Sequence, residues 1–333
     1  MPAEHATTRS LATWADWCAD AGLSDVYWRA GHFQVWMDAW DTGFFGMSWR
    51  DGDAHVLCAT LLDPLDVLPH GAGRFHAKTP YDFGGPRTVA GHPEPAAFAT
   101  AWCAALASAG VITEFARLHP FHPAPPDAVL HAENLVVDLS GGYDAVRAAY
   151  HGSWRRDLQK AERTTAAFAI DPSPSTEAVD RFSALYDLTM DRVDAAPWYR
   201  FDRATFRALL ALDDLSLATV THDDEVVAAA LLLASGDVRF YHLSASVPTR
   251  RLWPNHLLLD GLIRHALADG ARAVHLGAGA PALRRFKSRV ANSAVPYHLV
   301  RRVLDPAAVE AIAREVPTTE AFPPFLGALD QRR

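Results

Sequence analysis

Val238-Arg239-Phe240-Tyr241-His242-Leu243-Ser244 is followed by Arg250-Arg251-Leu252-Trp253-Pro254-Asn255, an apolar-periodic run to Asp269, Ala273-Val274-His275-Leu276 and Gly277-Ala278-Gly279. The stretch reads as strand, basic loop, helix, strand and turn. Pro254 suits the first turn of the helix. Free N–H groups at a helix start hold phosphates, and Arg250 and Arg251 add charge there. A second basic run, Arg284-Arg285-Phe286-Lys287-Ser288-Arg289, comes next. The chain has three lysines, Lys78, Lys160 and Lys287, against 28 arginines. Where lysine persists in so arginine-biased a chain, a compact ammonium is expected to serve where a planar fork would not.

Working outward, the pattern from Ala167 predicts strand Ala167–Ile170 and helices Thr176–Arg192 and Asp202–Leu212. Strands Ser216–Thr221, Val226–Ala234 and Val238–Ser244 follow, then the helix after Pro254 and strand Ala273–Leu276. Helix Pro281–Ser288 and strand Val295–Val303 close the series. That order gives a mixed sheet with helices on its faces, an α/β or α+β domain. Upstream, helices are expected at Ser10–Ala21, Pro95–Ala109, Tyr143–His151 and Ser153–Arg163, the last capped by Ser153. Strands are expected at His32–Trp40, Phe44–Arg50, His55–Leu62, Val111–Arg117 and Ala132–Leu139, with Trp36 and Trp40 sharing one strand face. A chain of 333 residues predicts two domains.

Composition excludes several classes. The longest apolar run, Val226–Ala234, is too short to span a membrane. The N-terminus lacks a basic region followed by an apolar core, and Cys18, Cys58 and Cys103 are scattered, which predicts a cytoplasmic protein with reduced, buried thiols. Residues 1–150 carry 8 basic and 17 acidic side chains, whereas Val247–Arg302 carries ten basic and two acidic ones. One polyanionic ligand engaged from the second half fits this asymmetry.

Local segments carry a narrower resemblance. They are Tyr81-Asp82-Phe83-Gly84-Gly85-Pro86, Glu114-Phe115-Ala116-Arg117-Leu118-His119-Pro120 and Ser153-Trp154-Arg155-Arg156-Asp157-Leu158-Gln159-Lys160-Ala161. Leu185-Tyr186-Asp187-Leu188-Thr189-Met190-Asp191-Arg192 and Arg285-Phe286-Lys287 complete the set. Their order resembles Fem-type aminoacyltransferases and related two-domain GNAT N-acyltransferases. The resemblance implies two tandem GNAT-like domains: residues 1–140 with about 304–333 on the acceptor side, and 141–303 for the donor. It also implies that the C-terminal tail returns to the first domain, and that a lysine functions at position 287.

The implied reaction forms an amide bond. An amine attacks an ester or thioester, an oxyanion develops, and an alcohol or thiol leaves. Lys287 is the expected stabiliser of the oxyanion or leaving group, with Asp82, Glu114 and His242 as alternative general bases. Donor contacts are expected from Arg250, Arg251, Asn255, Arg284, Arg285, Arg155, Arg156 and Lys160, the last three on one helix. Acceptor contacts are expected from Lys78, Tyr81, Gly84, Gly85, Trp36 and Tyr241. Leu252 to Asn255 stand where many acyl-CoA users of this fold carry glycines. The donor expected is therefore aminoacyl-tRNA as a co-substrate, with no separate cofactor. The acceptor is the amine of a small molecule, as in secondary metabolism, or a muropeptide precursor of peptidoglycan. The alternatives are an acyl-CoA donor and a catalytically silent binding module. The Ala-, Arg- and Pro-rich composition points to a high-GC bacterium. His119-x-x-His122 sits in a Pro-rich segment without a third ligand at metal spacing, so no metal is expected.

Overall fold

The computed structural model describes residues 3–249 and 252–331. The expected phosphate contacts Arg250 and Arg251 lie outside the described residues. In chain order the elements are β1 (Glu4–Thr8), α1 (Leu11–Asp20), α2 (Ala30–Trp40), β2 (Gly43–Asp51), β3 (Ala54–Pro64), β4 (Phe75–Lys78) and β5 (Arg87–Ala90). Next come α3 (Pro95–Ser108), β6 (Val111–Arg117), β7 (Val129–Asp138), α4 (Gly142–Ala149), α5 (Gly152–Ala161), β8 (Ala167–Asp171), α6 (Thr176–Arg192) and α7 (Arg203–Leu210). The rest are β9 (Leu215–His222), β10 (Glu225–Ser235), β11 (Val238–Ser246), α8 (Pro254–Ala268), β12 (Ala273–Gly277), α9 (Pro281–Lys287), β13 (Ser293–Val303), α10 (Pro306–Ala313) and α11 (Leu326–Gln331). The chain divides into unit 1, Met1–Ala132 with Pro296–Arg333, and unit 2, Glu133–Val295.

In unit 1, strands β1, β2, β3 and β4 are antiparallel neighbours, with β5 also on β3. Strand β4 then runs parallel to β6, and β6 pairs with β13 from Leu299 to Val303. That last pairing is why the chain from Pro296 onward belongs to unit 1. The tail follows it: Ile312, Phe325 and Leu329 are buried against Leu65, Leu68 and Ile112. Helix α3 lays Phe98, Trp102 and Leu106 against Phe45, Met47 and Val56 of the sheet.

One expected strand is a helix. His32–Trp40 falls in α2, because its buried residues His32, Phe33, Val35 and Trp36 are spaced at three and four, a helical stripe. Aromatic content suggested a strand, and the spacing prevailed. Trp36 and Trp40 still meet, as helix neighbours at i and i+4 with ring centroids 4.9 Å apart.

In unit 2 the sheet order is β7, β12, β11, β10, β9 and β8, all antiparallel except β11 with β12. Strand β10 is apolar along nearly its whole length because both faces are covered. Ala228, Ala230 and Leu232 face α5 and α8, against Trp154, Leu158, Leu258, Leu262 and Ile263. Helices α6 and α7 close on each other through Phe182, Tyr186 and Phe206. The expected Ser153 cap of α5 is corrected: His151 is the N-cap, and its Nδ1 accepts from the Ser153 N–H at 3.2 Å. Buried beneath α8, Asp260 accepts from Tyr143, Tyr150 and Arg264, tying α4 to α8.

Candidate active site

Strands β11 and β12 are parallel, and their pairing ends at Phe240 opposite His275. Both chains continue, to Ser246 and Gly277. The sheet therefore splits at the C-terminal ends of two parallel strands, where open α/β sheets hold ligands. A bulge adds to the opening. The register on β10 shifts between Ala230 opposite Ser244 and Leu232 opposite Tyr241, which leaves one extra residue on β11 around His242 and Leu243. Such a bulge bends the strand and re-aims its side chains.

Lys287, at the end of α9, reaches into this split. Its Nζ donates to the Leu276 carbonyl at 2.6 Å and lies 5.5 Å from the Tyr241 ring centroid, and the residue is 7% exposed. Gly277 adopts φ +72°, which an L side chain rarely adopts, and a Cβ there would lie 3.9 Å from that ammonium. Burial pushes the Tyr241 phenol up to about 12, with a hydrogen bond to Ser244 pulling the other way. The phenol thus stays protonated at neutral pH. An ammonium and a neutral phenol at one strand split form an arrangement that can receive developing negative charge.

Of the expected donor residues, Lys160 and Asn255 lie at the start of α8. Lys160 of α5 pairs with Asp157 and sets its Nζ 5.0 Å from the Trp253 ring centroid. Trp253 itself is left-handed, φ 47° and ψ 45°, immediately before Pro254. Asn255 Nδ2 donates to Ser246 Oγ at 3.0 Å, which joins α8 to the end of β11. Arg156 is exposed on α5, and Arg155 donates to the Ala148 carbonyl. Arg284 donates to the Glu133 carbonyl, and with Arg285 and Ser288 it lines an open cleft of about 490 Å³. Sequence reading missed His256, in the first turn of α8. It is packed between Trp154, 4.2 Å away, and Phe286, and burial lowers its pKa to about 4.

The expected acceptor residues other than Tyr241 belong to unit 1. Trp36 is fully buried and stacks on Tyr81 at 5.2 Å; Lys78 pairs with the buried Asp63 at 2.8 Å and sits over Trp40. The Tyr81 loop is pinned to the end of β6: Gly84 donates to the Arg117 carbonyl and accepts from the His119 N–H. Gly85, at φ +99°, passes so close to Leu118 that a Cβ would lie 2.7 Å from its Cδ2. Asp82 is left-handed at φ 70°.

Of the base candidates, Glu114 is already engaged. One oxygen accepts from Trp102 Nε1 at 2.8 Å and the other from Arg302 at 2.5 Å, with Arg302 also gripping Asp127. Both oxygens are thus committed inside unit 1. His119 and His122 stack 4.4 Å apart with Asp25 beside them. Arg87 can only donate, so His122 Nδ1 accepts from it, and the ring hydrogen is on Nε2, facing Asp25. Asp25 thus supplies the third candidate ligand that the sequence did not place beside the two histidines, the ligand atoms of the three lying within 4.8 Å of one another. The three cysteines are unpaired, and burial pushes the Cys18 thiol up to about 12, away from nucleophile duty.

Residues 146–288, an interval lying inside unit 2, match the family described as an acetyltransferase (GNAT) domain. Unit 2 is a GNAT acyltransferase domain. The two strands that split around Lys287 and the helices of the basic face fall within this GNAT match. The chain is also similar in structure to FemX, with a TM-score of 0.62 at 12% identity over 90% of this chain and 97% of that one. The C-terminal domain of a putative lysylphosphatidylglycerol synthetase from Agrobacterium fabrum gives a TM-score of 0.56 at 17% identity, over 92% and 95% of the two chains. L-PGS from Bacillus licheniformis gives 0.56 at 14% identity, over 91% and 95%. No curated protein matches the chain in sequence. At such identities the likeness is one of fold, and that fold is the expected one: two tandem GNAT-like domains with the tail in the first. Among the described residues no helix is long and apolar enough to cross a membrane.

Proposed function

We propose that this GNAT acyltransferase moves an amino acid from aminoacyl-tRNA to an amine, forming an amide. The observation that carries the reading is the buried Lys287 ammonium at the split between β11 and β12. In the reaction the neutral acceptor amine attacks the ester carbonyl of the donor. The C–N bond forms and the C–O bond breaks. The amine gives up a proton to a base, and the departing ribose oxygen takes one up. Lys287, with Tyr241 beside it, meets the charge that builds first on the carbonyl oxygen and then on the leaving oxygen. His242, in the β11 bulge, is the base candidate in the same unit as Lys287.

An aminoacyl donor is supported by two things. One is the likeness in fold to FemX and to a protein whose name joins a lysyl group to phosphatidylglycerol. The other is the start of α8, where Trp253 occupies a left-handed position that glycine would take at less cost. The indole packs against the hydrophobic core of unit 2, where the glycines of a loop wrapping a pyrophosphate would carry no side chain. For the acceptor, the acidic balance of residues 1–150 favours a small cationic or neutral amine over a phosphate-bearing muropeptide.

The test is equilibrium binding of the purified protein to charged tRNA, deacylated tRNA and acetyl-CoA at two salt concentrations. Preference for charged tRNA, weakened by salt, supports the reading. Tight binding of acetyl-CoA without tRNA preference replaces the donor with an acyl-CoA.

A further inference from the structure

Unit 2 displays a second feature that the chemistry above does not use. Leu188, Val193, Trp198 and Tyr199 are all exposed, Trp198 at 61%. They sit at the end of α6 and in the short turn Pro197–Tyr199. The turn is held rigidly: Tyr186 Oη donates to the Tyr199 carbonyl at 2.9 Å, and the Arg200 N–H to the Pro197 carbonyl. Rigid display of a Trp and a Tyr to solvent costs apolar hydration and returns nothing to the fold. Such a patch marks a binding surface.

Its surroundings say which kind. Helix α6 is anchored to the end of β11, where Arg192 donates to the Ser246 carbonyl at 2.7 Å and Thr189 accepts from the Ser246 N–H. Asn255, at the start of α8, holds the Ser246 hydroxyl, and Lys160 of α5 covers the neighbouring Trp253. An unbroken line of contacts therefore runs from the basic helix α5, past the start of α8, to the helix bearing the aromatic turn. The turn is itself close to charge balance. Arg200 pairs with Asp191, and Arg203 with Asp180. An anionic membrane would find little attraction there. A single strand of nucleic acid would find bases' worth of aromatic surface beside a cationic helix.

We infer that Trp198 and Tyr199 are the stacking platform for the unpaired 3′ end of the donor RNA, while α5 meets its phosphates. The inference rests on the aminoacyl-tRNA reading above.

The experiment uses the full chain, a labelled single-stranded oligoribonucleotide ending in CCA, and vesicles containing an anionic lipid. The variants are Trp198→Ala with Tyr199→Ala, and Trp198→Phe. Both side chains are exposed, so unchanged thermal melting is expected and serves as the control. The proposal expects the double alanine variant to bind the oligonucleotide at least tenfold more weakly, with Trp198→Phe close to wild type. Equal binding by wild type and the double variant overturns the platform and leaves the donor reading standing. No binding of the oligonucleotide or of tRNA by wild type, with binding of acetyl-CoA, overturns the donor reading and the platform with it. Binding of wild type to vesicles and not to RNA, abolished in the double variant, reassigns the turn to a membrane surface.

Discussion

Lys287 is one of three lysines in the chain, and its surroundings say why arginine does not replace it. Its Nζ is 2.6 Å from a strand carbonyl, at 7% exposure, a compact point-charge donor where arginine would bring a planar fork. Lys287→Ala is expected to lower the rate of amide formation by about 10²- to 10³-fold, the usual cost of one oxyanion donor, with little change in melting temperature. Lys287→Arg should not restore it. Single-turnover transfer from charged tRNA measures both, and wild-type turnover in Lys287→Ala would remove the residue from the chemistry. His256 makes a second prediction. Its folded-state pKa of about 4 lies below the ordinary 6.5, so the folded state binds fewer protons than the unfolded one. Its contribution is full above 6.5 and is lost as pH falls toward 4. At pH 5 that amounts to about 2 kcal/mol against pH 7. Denaturant titrations of His256→Phe at the two pH values should show an acid limb flatter by about that much. Lys287 was legible in sequence because lysine is rare here. His256 was not, since nothing local announces that Trp154 and Phe286 will enclose it.

At the scale of elements, the second half was readable almost strand by strand, because its helices and strands keep clean periods and are closed by Gly, Pro and Asp. The first half was harder. Helix α2 is rich in aromatic side chains, and β4 and β5 are four residues each, too short to show alternation. The fate of Glu114 was also hidden, since its partner Arg302 is 188 residues away. That partnership ties β6 to β13 and, through Trp102, to α3. Arg302→Ala leaves the Glu114 carboxylate buried without its cation, and unit 1 is expected to lose roughly 3–5 kcal/mol. Glu114→Gln keeps the Trp102 bond and should cost less. Neither change should move the pH dependence of transfer, because both Glu114 oxygens are engaged by Trp102 and Arg302. A shifted pH–rate profile in Glu114→Gln, at full stability, would return it to the mechanism.

For the whole molecule the central electrostatic fact is that a chain of net charge −8 is proposed to bind a polyanion. The sum misleads because the charges are segregated: residues 1–150 carry a net −9 and residues 151–333 a net +1, and ten cations against two acids lie between Val247 and Arg302. Within a Debye length of about 8 Å at physiological salt, an RNA phosphate responds to the charges it touches and not to the net charge of the chain. Arg155, Arg156, Arg285 and Arg289 are exposed, and none is in a salt bridge with a carboxylate among the described residues. Each phosphate contact contributes roughly −0.7 to −0.9 to the slope of log K against log salt. Replacing Arg155 and Arg156 together with Gln should therefore make the slope for charged tRNA less steep by about 1.5, weakening all tRNAs alike. Lys287→Ala, which removes a contact to the reacting ester and none to phosphate, should leave the slope unchanged. The two variants thus separate holding the donor from reacting it. An unchanged slope in the double Gln variant would move the phosphate contacts off α5.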